Sequence, residues 1–112
     1  MEFILHICTE NDWQAAQSLG EYRAESIATD GFIHCSRPDQ IITVGNKYYP
    51  GQRNLVLLQI ASSKLTHELC WEPVEADVFP HVYGPINLDS VVSVSKFQPD
   101  ADGVFRTIPK FE

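Results

Sequence analysis

Three of the four histidines stand inside short apolar runs, each of which predicts a β-strand. They are His6 in Ile-Leu-His-Ile-Cys, His34 in Gly-Phe-Ile-His-Cys-Ser, and His81 in Phe-Pro-His-Val-Tyr-Gly-Pro. A strand that places an imidazole on its inward face must provide hydrogen-bond partners for two ring nitrogens. The three strands therefore predict one shared polar cleft, with three separately satisfied structural histidines as the alternative.

Strand alternation determines which side chains accompany each imidazole, because successive residues point to opposite faces of a sheet. Each imidazole shares its face with one further reactive or polar side chain: Cys8 beside His6, Ser36 beside His34, and Tyr83 beside His81. Cys35 points away from His34, so the two cannot ligate a metal together. Cys35 and Cys70 are expected to be small buried hydrophobic residues.

Ser36 is predicted to cap a helix over 40–48, with Asp39 completing a capping box. A helix N-terminus offers free N–H groups and a partial positive charge, so it can hold a phosphate or carboxylate group. His34 and Ser36 would then stand at an anion site. In the alternative, Ser36 only caps the helix and His34 is tied to a neighbouring backbone group.

Glu72, between Trp71 and Pro73, is the best candidate for an acid. A neighbouring indole predicts either a raised pKa for this carboxyl group or a carboxylate that steadies an imidazolium. The alternative is a glutamate on the solvent side of an edge strand. In the run 79–85, two prolines restrict the backbone, and Gly84 permits the close approach of another group.

Other chemistries lack the spacing that they require. Three histidines match the ligand count of a zinc site, but no H-x-H or HExxH pattern accompanies them, so no metal is predicted. Ser36 lies in no G-x-S-x-G sequence. Side chains two apart on a strand are separated by about 7 Å, which is too far for His6 to activate Cys8 directly. No GxGxxG or Walker sequence is present, and three cysteines without CxxC spacing form no disulfide framework.

The composition predicts one domain over residues 1–112 with an ordinary hydrophobic core, since 44% of the residues are hydrophobic. The net charge of −7 argues against nucleic acid as a partner, because phosphate binding requires clustered Lys and Arg. No apolar run approaches the ~20 residues of a membrane span. Glu2 stands where a signal peptide carries positive charge, so a cytoplasmic location without membrane contact is expected.

Hydrophobic periodicity predicts the elements that position these residues. The first helix is predicted to begin after Thr9 and to end at Gly20, with Trp13, Ala16 and Leu19 inward. The second helix is predicted over 40–48. The strands are predicted over 3–8, 32–35, 54–60 (central), 69–72, 79–83 (an edge or irregular strand, because of its prolines) and 90–97. The segment 21–30 is left undecided. Two helices in the N-terminal half and a run of strands predict an α+β fold with a mixed or antiparallel split sheet.

The chain resembles the small bacterial DUF-952 family, whose function is unknown. The resemblance rests on DGFIHCS, LVLLQI, the Trp71-Glu72 pair and FPHVYGPI, with Gln40 and Tyr49, and it extends from His6 to about Gly103. It implies the ADP-ribosylation fold, the split sheet of ADP-ribosyltransferase catalytic domains.

The resemblance also implies roles for the three histidines. His6 resembles the first-strand histidine that holds the adenosine ribose, and His34 falls where a tyrosine stacks on nicotinamide. His81 falls near the catalytic glutamate, so Glu72 would have to supply the carboxylate that the transferase reaction needs.

Two functions are therefore predicted from the sequence. The first is binding of a nucleotide or ribosyl-phosphate ligand such as NAD or ADP-ribose; an enzyme with this site would be ADP-ribosyltransferase-like or NAD-processing. The second is a non-catalytic module that binds a small ligand or another protein. The candidate catalytic residues are His34, His81 and Glu72, and the candidate ligand-binding residues are His6, Ser36, Tyr22, Tyr83 and Gly84.

Overall fold

The computed structural model describes residues 2–109, which form eight strands and three α-helices. In chain order they are β1 (Phe3–Thr9), α1 (Glu10–Leu19), β2 (Glu21–Tyr22), α2 (Ser26–Asp30), β3 (Ile33–His34), α3 (Ile41–Tyr48), β4 (Leu55–Ala61), β5 (Leu69–Val74), β6 (Asp77–Val82), β7 (Ile86–Asn87) and β8 (Val91–Phe97). None of the helices in 2–109 has the length and apolar character needed to cross a membrane.

The strands of this part of the chain form three antiparallel sheets, with strand orders β1-β4-β8, β3-β6-β5 and β2-β7. A backbone bridge between Leu5 and Ser36 joins β1 to the segment that follows β3. The predicted α+β class with a split antiparallel sheet is confirmed. The two predicted helices correspond to α1 and α3, and the undecided segment 21–30 contains β2 and the short helix α2.

β4 is the central strand of the first sheet, and it contributes to a hydrophobic core on each face. Leu55 and Leu57 pack into one core with Phe97 and Phe105, whereas the other core contains the alternate residues Val56, Leu58 and Ile60. The near-continuous apolar run is thus explained by burial on both faces, as predicted.

Helix α1 begins and ends where the sequence predicts. The Thr9 hydroxyl accepts the backbone N–H of Asp12 at 3.1 Å, and Gly20 ends the helix in the left-handed region at φ 94°. Ala16 is buried, but Leu19 is 63% exposed, so its predicted inward position is wrong. Leu19 is the last residue of the helix, and the chain turns away at the next residue.

The predicted cap at Ser36 is wrong, because α3 begins only at Ile41. The backbone of Ser36 is used in the bridge to Leu5, with N–H to carbonyl distances of 2.8 Å in both directions. Residues 37–40 form a turn in which the Gln40 N–H donates to the Arg37 carbonyl at 3.0 Å. Pairing with β1 therefore holds Ser36 in an extended segment, five residues before the helix.

The predicted edge position of the proline-flanked strand is also wrong, because β6 lies between β3 and β5. The Pro80 carbonyl accepts the Cys35 N–H at 3.0 Å, so the Pro80 nitrogen points to the same side. On that side β3 has only two residues and ends at His34. The missing N–H therefore falls at the end of the short neighbouring strand, where it interrupts little of the ladder.

Candidate functional site

The three imidazoles face one cavity of about 520 Å³, which α3, β1 and the β3-β6 pair help to enclose. His6, His34, His81 and Ser36 all line it, and Tyr22 does so as well. Tyr83, Gly84 and Glu72 do not line it. The structure thus brings together five of the eight predicted site residues and places the other three outside the cavity wall.

His6 is 7% exposed, and both of its ring nitrogens are used inside the protein. Nδ1–H donates to the backbone carbonyl of His34 at 2.6 Å, and Nε2 accepts the Tyr22 hydroxyl at 2.8 Å. Burial lowers the pKa of His6 to about 4 and raises that of Tyr22. His6 is therefore a neutral imidazole at pH 7 that braces three elements and shows only part of its ring to the cavity.

His81 is 4% exposed, and only one of its ring nitrogens has a partner within the chain. Nδ1–H donates to Glu72 Oε1 at 2.9 Å, and the Phe32 ring stacks on the imidazole with a centroid distance of 4.0 Å. Within residues 2–109, every fully buried side-chain nitrogen or oxygen has a partner, so the unpartnered Nε2 is reached by solvent. Because His81 lines the cavity and Glu72 does not, we place Nε2 on the cavity side of the ring.

Glu72 supports His81 from behind the cavity wall. Its Oε1 also accepts the Tyr83 hydroxyl at 2.5 Å, and the bonds from Tyr83 and His81 lower the pKa of the carboxyl group. The hydrogen bond to Glu72 raises the pKa of Tyr83 to about 12. These bonds argue against a raised pKa for Glu72, and a carboxylate that steadies the His81 ring matches the geometry. The solvent-side alternative is also partly met, because β5 is an edge strand and the Glu72 side chain is 38% exposed.

His34 lies at the mouth of the cavity. It pairs with His81 in the register of β3 and β6, with ring centroids 5.4 Å apart. Its side chain is 55% exposed, and Nε2 bonds to Asp30 Oδ2 at 2.8 Å. His34 is thus the accessible histidine of the three, anchored by a carboxylate of α2.

The features predicted at Ser36 and Gly84 are explained by contacts within the protein. The anion site at Ser36 is wrong, since no helix begins there and its backbone N–H donates to Leu5. The group that approaches Gly84 is the chain's own His67, whose Nδ1–H donates to the Pro85 carbonyl at 2.9 Å. Gly84 has φ 150°, and a methyl group there would collide with the His67 ring.

The remaining polar lining was not predicted from the sequence. Besides the predicted residues, the cavity has two further tyrosines and two carboxylates: Tyr48, Tyr49, Asp12 and Glu25. Within the described ranges, no lysine or arginine lines it, and no three His, Cys, Asp or Glu residues are grouped as a metal would require. Asp12 lies in the first turn of α1, where its backbone N–H donates to Thr9, and its place three residues after β1 is the one local signal of a second role.

Comparison with known proteins identifies a sequence family and similar structures of another protein. The sequence matches the family described as "Protein of unknown function (DUF952)" over residues 7–94. The crystal structure of protein CC0527 from Caulobacter crescentus is similar, with 34% sequence identity, a TM-score of 0.86 and 94% of each chain covered. The solution NMR structure of CC0527 gives 35% identity and a TM-score of 0.80 over 93% of this chain and 91% of that one. No curated protein matches the chain.

Proposed function

We propose that this chain, which belongs to the DUF952 family, binds a small planar-ring molecule of the nucleoside or ribosyl type, as found in NAD and ADP-ribose. The cavity volume of about 520 Å³ is in the range typical of small-molecule sites. Aromatic side chains on its wall, among them Tyr22, Tyr49 and Phe79, offer faces for a planar ring.

The observation that carries the proposal is the free nitrogen of His81. Because Nδ1–H donates to Glu72, the neutral form of the ring has its lone pair on Nε2, the nitrogen that we place on the cavity side. A ligand hydroxyl or amino group within about 3 Å of Nε2 can donate to it. Because this nitrogen has no partner within the described residues and is reached by solvent, it is available to a ligand or to an ordered water.

The same arrangement suits proton transfer. A hydroxyl or a water placed at Nε2 loses its proton to the imidazole, and the Glu72 carboxylate stabilises the imidazolium that forms. Tyr83 holds that carboxylate in place through its hydroxyl. Under this proposal, His81 is the catalytic residue, and Glu72 and Tyr83 are positioning residues of an NAD-processing enzyme.

Ribosyl transfer of the ADP-ribosyltransferase kind would also require a carboxylate that faces the reacting sugar. An oxocarbenium-like centre is stabilised by a carboxylate that faces it, and Glu72 lies behind His81 rather than on the cavity wall. Asp12 and Glu25 are the carboxylates that line the cavity. The likeness to the ADP-ribosylation fold stays a prediction.

A second candidate function is ligand binding without chemistry. It is favoured because the two potential nucleophiles of the cavity, Cys8 and Ser36, are not activated. Burial raises the pKa of the Cys8 thiol to about 12, so the thiol is protonated at neutral pH. The Ser36 hydroxyl has no hydrogen bond to an imidazole among the described residues. A covalent step on either side chain is therefore disfavoured.

Thermal unfolding with NAD, ADP-ribose, adenosine and nicotinamide riboside tests the proposal. A ligand that binds only the folded protein at ~100 times its Kd adds about 2.7 kcal/mol, a visible rise in Tm. We expect at least one of the four to raise Tm, and we expect His81→Gln to remove the rise while His67→Gln, outside the cavity, keeps it. Chromatography of the incubated mixture separates an enzyme, which consumes NAD, from a binding module, which does not.

Two results would contradict the proposal. One is that none of the four compounds changes Tm; the other is that a shift persists in His81→Gln. Because His81 is buried, circular dichroism must show that this variant is folded. If it is not, His34→Ala replaces it, since its exposed ring contributes little packing.

A further inference from the structure

The charges on the cavity wall bear on the ligand class, and this inference rests on the proposed function. We infer that the cavity accepts neutral or positively charged nucleosides and excludes phosphate groups. A phosphate-bearing nucleotide would then have to place its phosphates outside the cavity, and the unphosphorylated nucleoside would bind more tightly.

The first support is the sign of the charges that line the cavity. Asp12 and Glu25 contribute carboxylates, and within 2–109 neither lysine nor arginine lines the wall. The basic residues near α3 are engaged elsewhere. Arg37 binds Asp39 and Asp77, and Lys47 binds Glu75.

The second support is the position of Asp12, an exposed residue of α1 that lines the cavity. Burial is the main cause that raises the pKa values of the cavity residues Cys8, Tyr22 and Tyr49, and the nearby negative charge of Asp12 adds to it. A carboxylate beside tyrosine rings is an environment that stabilises a cation, through Coulomb attraction and through the faces of the rings. A phosphate in the same place would meet a like charge.

The third support is independent of the carboxylates and comes from His81. His81 is 4% exposed and lines the cavity, and Nε2, which we place on the cavity side, has no partner in the described part of the chain. When the ring is neutral, this nitrogen accepts a hydrogen bond, and both carboxylates also accept. Ribose hydroxyls and exocyclic amino groups donate, whereas a phosphate dianion only accepts. The wall is thus matched to the donors of a nucleoside.

Two matched ligand pairs test the inference by isothermal titration calorimetry. Adenosine and AMP differ by a phosphate group, as do the cationic nicotinamide riboside and its mononucleotide. We expect the unphosphorylated member of each pair to bind at least about tenfold more tightly at low salt. Raising the NaCl concentration should narrow the difference, because salt screens the repulsion.

Substitutions in α1 test which charge is responsible for the preference against phosphate. Asp12→Asn should reduce the preference against phosphate several-fold, whereas Glu10→Gln, in the same helical turn but outside the cavity, should leave it unchanged. Asn keeps the backbone N–H that Thr9 accepts, so the variant should fold. Glu25→Gln, on the same cavity wall, serves as the second variant.

The outcomes separate the two proposals. Tighter binding of AMP than of adenosine, or of the mononucleotide than of the riboside, would overturn the charge inference and leave the proposed function intact. An equal preference in Asp12→Asn, Glu25→Gln and Glu10→Gln would also overturn it. If none of these four compounds binds, and neither NAD nor ADP-ribose raises Tm, the proposed function itself fails.

Discussion

The Nδ1 atom of His6 lies 2.6 Å from the backbone carbonyl oxygen of His34. This bond joins β1 to β3 and so connects two sheets beside the backbone bridge of Leu5 and Ser36. The carbonyl can only accept, so Nδ1 carries the proton of the neutral ring and Nε2 receives the Tyr22 hydroxyl. The histidine predicted to hold a ligand ribose is thus a structural brace that forms part of the cavity wall.

The free energy of unfolding should decrease as the pH is lowered, because of His6. Burial lowers its pKa from 6.5 to about 4, so between these values the unfolded chain binds a proton that the folded chain does not. The contribution is complete above pH 6.5 and is lost progressively as the pH falls towards 4. The difference corresponds to about 3 kcal/mol in the free energy of unfolding.

Urea unfolding at pH 7 and pH 4 measures this loss. His6→Gln should be less stable than the parent at pH 7 but should lose about 3 kcal/mol less between the two pH values. An NMR titration should show no protonation of the His6 ring above pH 5. If the parent and His6→Gln show the same pH dependence, the lowered pKa is wrong.

Removing the Tyr22 hydroxyl should destabilise the protein. Tyr22→Phe leaves Nε2 of His6 without its donor, and an unsatisfied buried acceptor costs about 1–3 kcal/mol. Tyr48→Phe, which alters an exposed tyrosine on the same wall, is the matched control and should change the free energy of unfolding by less than about 0.5 kcal/mol. Equal effects in the two variants would argue against the hydrogen bond.

Replacing Glu72 should change the ionisation of Tyr83. The carboxylate accepts the phenol O–H and so raises the pKa of Tyr83 to about 12. Glu72→Gln removes the charge, and the pKa should fall towards the ordinary value of about 10. An NMR titration of the tyrosine ring carbons measures the shift, with Glu10→Gln as the control that should leave it in place. A pKa that stays near 12 in Glu72→Gln would show that another group is responsible.

Gly84→Ala should destabilise the protein because of a collision with His67. The new methyl group would enter the imidazole ring, and φ is 150°, so the expected cost is about 1–3 kcal/mol. His67→Ala removes the obstacle, and the double variant should therefore lose less stability than the two single losses added together. Additive losses would assign the cost to backbone strain alone.

The strands and helices with strong periodicity were predictable from the sequence. The apolar run over 54–60 is β4 to within one residue, and Thr9 and Gly20 delimit α1. The error at Ser36 arose because this residue has two possible structural roles. Ser36 has the pattern of a cap but pairs with Leu5, because bridging the two sheets uses its backbone N–H and carbonyl together.

The sequence by itself determined that three imidazoles lie on strands and which residues share their faces, since alternation is a local property of the backbone. Only the tertiary structure decided which ring nitrogen is free. His6 finds its partners 28 and 16 residues away, His34 binds Asp30, and His81 has a partner on Nδ1 alone. Whether a histidine braces the fold or faces a ligand depends on these contacts, and those of His6 join residues that the sequence places far apart.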